Sequence, residues 1–326
     1  MRIKSIFISI FILPLAASAT GTATSPPAEN PVVEKLIPES LISLPTAKNA
    51  YESKFAIVVD KSQRTLKIYK STEQGPLIVA EYPTDIGKNQ GEKTKQNDHK
   101  TPVGIYFLQK KLSQPAIPYK LYGQMAFTTD YPNIFDQREH KTGNGIWLHA
   151  VPDSVALTRG SRGCVVVRND VIKKISEYIQ LGQTPMVIAE KVSYLSFPEY
   201  NERRKKYLDA FEEWRNSWQN NDVDTYIKYY DDTFHNGKMN YKQWYKFKKT
   251  IRERRAQIEV KMSEPLIIVN QDQVVVRATQ DYKSEEHSDH GQKTIHARFK
   301  EDSFAIIRED WAEEPPVETA PAVSSN

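Results

Sequence analysis

Gly160-Ser161-Arg162-Gly163-Cys164-Val165-Val166-Val167 is a glycine-rich turn running into a β-branched strand, and it carries the only cysteine of the 326-residue chain. Fifteen residues upstream of Cys164, the apolar run Ile146-Trp147-Leu148 ends on His149. A lone thiol cannot close an internal disulfide, so it pairs with another chain or stays free and reactive. A histidine nearby, a small residue beside the thiol and a glycine-rich turn point to a nucleophile. The competing reading makes Cys164 a buried strand residue and His149 a satisfied core histidine.

Outward from this turn, residues 50–192 read as one β-rich domain. The runs 55–60, 65–69, 77–82, 103–108, 145–149, 164–167 and 186–189 are short and rich in β-branched and aromatic residues. Gly, Pro, Asn and Asp separate them, as turns between strands require. One helix is expected after the cysteine, capped by Asn169 or Asp170. Val171, Ile172, Ile175 and Ile179 form its buried face, and Gly182 stops it. From Tyr200 the order reverses. Tyr207, Phe211, Trp214 and Trp218 fall at helical spacing and read as core packing, a second helix starts at Asp222, and a third covers 241–256. Strands at 266–269 and 273–277 and two later runs up to Trp311 then make residues 200–312 an α+β unit.

The chemistry follows from the thiol. An unperturbed cysteine has a pKa of about 8.5 and is only a few per cent ionised at neutral pH. His149 can activate it as a general base or as the imidazolium of an ion pair. Backbone N–H groups of the turn 161–164 are placed to converge on an oxyanion. Gly163 would let a substrate carbonyl approach the backbone.

The stretch resembles the YkuD-type L,D-transpeptidase catalytic domain, whose signature is a histidine, a loop of about fifteen residues, then Ser/Thr-His-Gly-Cys. Here it stands as His149 followed by Ser161-Arg162-Gly163-Cys164. Further matches are 57–60 with 66–69, Lys100-Thr-Pro-Val-Gly-Ile-Tyr106, and Gly143-Asn-Gly-Ile-Trp-Leu-His149. The resemblance implies a mixed β sandwich or barrel with few helices. It also implies Cys164 as acylated nucleophile, His149 as its base, and Gly163 with Cys164 in the oxyanion hole. Arg162 departs from the pattern, standing where a histidine is usual, and the basic residue expected two places after the cysteine is displaced to Arg168. A guanidinium cannot act as a base but grips a carboxylate bidentately. Ser161, Arg162 and Arg168 are therefore candidate substrate-binding residues. Surface salt bridges are the alternative for the two arginines. The variant resembles the subgroup that includes helical-cell-shape L,D-carboxypeptidases and enzymes that detach lipoprotein from peptidoglycan. Residues 214–234, followed by four strands, resemble a nuclear-transport-factor-2-like cone.

By that resemblance the partner is the stem peptide of peptidoglycan, cleaved before its terminal D-alanine. Water, a diaminopimelate amine or a lipoprotein linkage remain open as acceptor or target. A non-catalytic wall-binding scaffold is the rival class. No metal or organic cofactor is implied, and the ligand of the second domain is open. His287, His290 and His296 form a conceivable metal site, against which a solvated loop is the plainer reading. Tyr119, Tyr122 and the loop 131–135 are candidate walls of the cleft.

The ends fit export. Arg2 and Lys4, the apolar run 6–16 and Ala17-Ser18-Ala19 make residues 1–19 a signal peptide, with an uncleaved anchor as the alternative. A periplasmic location follows, with no later segment long and apolar enough to span a bilayer. Residues 20–49 read as a flexible linker and 313–326 as a disordered tail, both rich in Pro, Ala, Ser and Thr. Loss of the leader leaves 43 basic against 41 acidic residues. That near-neutral balance argues against a nucleic-acid partner.

Overall fold

The computed structural model describes residues 35–46, 53–254 and 257–313. The export signal expected at 1–19, most of the linker and the tail from 314 lie outside them. Two short strands come first, β1 (Ile37–Pro38) and β2 (Leu41–Ser43). The first domain contains β3 (Phe55–Asp60), β4 (Thr65–Lys70), β5 (Leu77–Pro83), β6 (Gly104–Ser113), α1 (Tyr119–Tyr122), β7 (Met125–Thr129) and α2 (Ile134–Arg138). It is completed by β8 (Trp147–Val151), β9 (Val165–Arg168), α3 (Asn169–Ser176) and β10 (Pro185–Ala189). After β11 (Tyr194–Leu195), the second domain contains α4 (Phe197–Gln219), α5 (Val223–Tyr226), α6 (Tyr241–Arg254), β12 (Ile258–Met262), β13 (Leu266–Asn270), β14 (Gln273–Ser284), β15 (Ser288–Lys300) and β16 (Ser303–Glu313).

The first domain is one eight-stranded sheet in the order β5-β4-β3-β10-β6-β7-β8-β9, parallel at β3–β10 and β8–β9 and antiparallel elsewhere. Residues just beyond β5 return to the opposite edge, where Asp85 bridges Val166 and Gly87 bridges Ser161. The sheet is thereby a nearly closed barrel, as the strand-rich reading implied. The second domain is a six-stranded sheet in the order β16-β15-β14-β13-β2, with β12 also paired to β14, and α4 packs against it.

Alternation explains why the central strands carry unbroken apolar runs. Ile57 and Val59 of β3 and Met186 and Ile188 of β10 point into the barrel, with Tyr106 and Leu108 of β6. Ala56, Val58, Val187, Ile105 and Phe107 point the other way, onto Leu266, Ile268, Val275 and Ile307 of the second sheet. The two domains are fused through a common core, and strands buried on both faces need side chains that are apolar at every position.

Three expectations are corrected. The linker read over 20–49 is ordered from Lys35 to Thr46: β1 pairs β11, and β2 adds an edge strand to β13. Ile37, Leu41 and Ile42 are fully buried there; Pro, Ser and Thr around them conceal three core anchors. The helix after the cysteine ends at Ser176, six residues before Gly182, and its cap position is Arg168. Asn169 instead accepts a hydrogen bond from the Gln124 N–H (2.9 Å) and donates to the Tyr119 hydroxyl (3.3 Å). Finally β7, the strand that pairs with β8, was not anticipated.

A shared core predicts one cooperative transition rather than two. Ile268→Ala, on the second sheet, is expected to cost about 2–5 kcal/mol. Calorimetry should show a single peak shifted down; a split into two peaks would show that the domains unfold independently.

Candidate active site

A register brings Cys164 and His149 to one face of the sheet. Parallel β8 and β9 align Leu148 with Val165 and His149 with Val166. Alternation then puts Trp147, His149 and Val151 on the same face as Cys164 and Val166. Their neighbours Leu148, Ala150, Val165 and Val167 fill the barrel core instead. Both predicted catalytic side chains line one open cavity of about 460 Å³, with Lys88, Lys93, Tyr122, Arg159 and Arg162 around it.

The resting pair is neutral. Cys164 Sγ lies 3.4 Å from the Gly145 carbonyl, to which its S–H donates. Burial pushes the thiol up to about 11, against a smaller opposing effect of the nearby backbone and the Lys93 charge. His149 is lowered to about 4, chiefly by burial, which outweighs the opposing Ala150 hydrogen bond, with a smaller lowering effect of the Arg159 charge. His149 Nδ1 is 2.6 Å from the Ala150 carbonyl. A carbonyl only accepts, so Nδ1 carries the proton and Nε2 is the basic nitrogen. Of the two activation modes left open by the sequence, this geometry supports the general base. Tyr122 fixes the ring edge-on at 5.1 Å between centroids and also packs on Trp147.

The turn is held from below by Asp85, a buried residue absent from the sequence reading. Its carboxylate accepts from the Gly160 N–H (2.6 Å) and the Ile86 N–H (3.0 Å) and pairs with Arg64. Its backbone exchanges two hydrogen bonds with Val166, each 2.8 Å. Ser161 clasps the turn from above. Its Oγ donates to the Cys164 carbonyl (2.7 Å) and accepts from the Gly163 N–H (3.0 Å). The Gly163 N–H is thus engaged by Ser161 in the resting site. The missing side chain serves packing: at φ +129°, a Cβ there would lie 2.6 Å from the Lys100 carbonyl oxygen.

The predicted substrate-binding residues divide. Ser161 and Arg162 line the cavity, Arg162 exposed at its edge. Arg168 is not among the lining residues; it donates to the Val155 carbonyl (2.6 Å) and fastens the loop between β8 and β9. Of the candidate walls, only Tyr122 serves. Tyr131 packs on Tyr106 and carries Lys93 over its ring, while Phe135 enters the interdomain core. Lys88 and Arg159 escaped the sequence reading because each stands in a loop without a motif. The three C-terminal histidines are not brought together: His287 faces Asp289, His290 faces Asp281, and His296 is half-buried edge-on to Phe135. Trp214 is core as expected, but Trp218 also borders a second cavity of about 200 Å³, which Lys248 lines too, 4.6 Å from the Trp218 and Trp244 ring centres.

Comparison with known proteins agrees with this geometry. Residues 54–188 match the L,D-transpeptidase catalytic domain, and residues 206–310 match the Cds6 C-terminal NTF2-like domain. The structure of Bd1075 from Bdellovibrio bacteriovorus superposes with a TM-score of 0.80 at 48% identity, covering 86% of this chain and 100% of that one. The helical cell shape determining protein Pgp2 of Campylobacter jejuni superposes with a TM-score of 0.65 at 27% identity, covering 83% of this chain and 96% of that one. YafK of Escherichia coli K12, whose name assigns it provisionally to the L,D-transpeptidases, is 25% identical over 175 residues, 49% of this chain and 67% of that protein.

A neutral pair has a kinetic signature. A thiol raised to about 11 should be alkylated by iodoacetamide at a rate that climbs about tenfold per pH unit from 7 to 9. A preformed thiolate–imidazolium pair would give a plateau across that range. The sign for stability follows from His149, which is depressed on folding: its contribution is complete above about 6.5 and is lost as pH falls towards 4, where the unfolded chain binds the extra proton.

Proposed function

The chain belongs to the L,D-transpeptidase family, and on that footing we propose that it is a cysteine peptidase of peptidoglycan stem peptides. One observation carries the reading: His149 and Cys164 share a sheet face and open into the same cavity. Cys164 Sγ adds to the carbonyl on the L-centre of meso-diaminopimelate while its proton passes to His149 Nε2. The C–N bond then breaks, His149 returns the proton to the departing amine of D-alanine, and a thioester remains. Water adds to that thioester with His149 as base, and cleavage of the C–S bond regenerates the thiol.

The lining favours water over a second peptide as acceptor. A cross-link requires an amine that is an ammonium ion in solution. Lys88, Lys93, Arg159 and Arg162 surround the cavity, and no carboxylate is among its described lining residues. Such a field disfavours a cationic acceptor and leaves water unaffected. L,D-carboxypeptidase action is therefore preferred to 3–3 cross-linking, and the export leader read at residues 1–19 puts it in the periplasm.

The test is incubation with purified tetrapeptide muropeptides, read by mass spectrometry. The wild type should release one alanine. Cys164→Ala and His149→Ala should each lose about three orders of magnitude or more in rate. Appearance of 3–3 dimers instead of alanine release would replace hydrolysis by transpeptidation. An inert wild type, shown to be folded and reduced, would sink the enzyme reading for this substrate.

A further inference from the structure

Four cations line the cavity, and one of them is spoken for. Lys93 is buried, ion-paired with Asp98 at 2.7 Å, and lies over the Tyr131 ring. Lys88, Arg159 and Arg162 are exposed at the cavity wall and, among the described residues, have no ion-pair partner. Two of them are set close together by packing. Gly160 follows Arg159 directly, and a Cβ on it would lie 2.6 Å from Lys88 Cγ and 3.0 Å from Lys88 Cα. The Lys88 stem therefore lies against the backbone next to Arg159. Like charges gathered this way without a counterion repel one another, and an anion between them relieves that repulsion.

Arg159 lines the same cavity as His149, and its charge is felt by that ring. His149 is the group that hands a proton to the leaving amine, so a cation on this wall is available to the leaving residue. If that residue is the last of its peptide, its own α-carboxylate is one carbon from the amine. A guanidinium suits it because a planar fork binds both carboxylate oxygens.

We propose that Arg159, with Lys88 and Arg162 beside it, binds the free α-carboxylate of the leaving residue and restricts cleavage to the exposed end of a stem peptide. This rests on the peptidase reading above and names the part of the substrate that the site selects. Arg159 is thus a specificity residue, and the wall it stands on is fastened by Arg168 through Val155.

The experiment compares two synthetic tetrapeptides, one ending in D-alanine and one in D-alanine amide. Wild type should prefer the free acid by about 10- to 100-fold in kcat/KM, the range expected for a charge-assisted contact in an open cleft. Raising the salt should narrow that preference, because the contact is solvent-accessible. Arg159→Gln should shrink the preference to about threefold or less, and Arg159→Lys should restore part of it. Thermal unfolding of each variant identifies a loss that comes from misfolding. Equal cleavage of acid and amide by the wild type would overturn the carboxylate clamp while leaving the peptidase reading intact. A wild-type preference untouched by Arg159→Gln would overturn the assignment to Arg159. Failure to cleave either peptide would overturn the peptidase reading and the clamp with it.

Discussion

The pairing of Asp85 with the catalytic turn is the constraint on which the site depends. One buried carboxylate and its own backbone join the end of β5 to Gly160 and Val166, and so to the far edge of the same sheet. This closes the barrel and sets the height of the 160–164 turn over the cavity in a single step. Without it, β9 would be a free sheet edge and Cys164 would sit at the frayed end of a strand. Burial makes the arrangement stiff, since an acceptor stripped of water has no alternative partners.

That stiffness fits the neutral character of the pair above it. A thiolate and an imidazolium in a buried pocket would each bear a desolvation cost, and the unshielded cations nearby would repel the imidazolium. A neutral thiol and a neutral imidazole avoid both costs until a substrate arrives to receive the electrons. The surrounding positive charge is then useful in a different way: it stabilises negative charge that develops during attack. The same wall can serve ground-state selection and transition-state stabilisation without a rearrangement.

Much of this was legible in the sequence, and the boundary is instructive. His149 and Cys164 were singled out because a lone thiol in a glycine-rich turn and a histidine closing an apolar run are both local signals. Most strands of the first domain were visible from their short β-branched and aromatic runs, β7 being the exception, and the two-domain order followed from a change in periodicity at residue 200. What could not be read depended on contacts distant in sequence. Asp85 looks like an ordinary turn residue until Gly160 is placed beside it. Residues 37–42 lie in a stretch rich in Pro, Ser and Thr, and the burial of Ile37, Leu41 and Ile42 depends on pairing with β11 and β13, far along the chain. Phe135 looked like a cleft residue because nothing local announces that the second sheet packs behind it. Lys88 and Arg159 are loop cations, indistinguishable by type from many solvated ones.

The edge strand β2 has a consequence for how the molecule is made. Its residues precede the whole catalytic domain, but its hydrogen bonds are to β13, more than two hundred positions later. A ribosome or a translocation pore delivers the chain from its amino end, so Leu41 and Ile42 emerge first and must wait longest for their partners. The first domain can close its barrel during that interval, yet the face it shares with the second sheet stays bare until β13 and β14 arrive. Maturation is then a clasp completed last by the segment that appeared first, and the waiting chain is the form most in need of a chaperone.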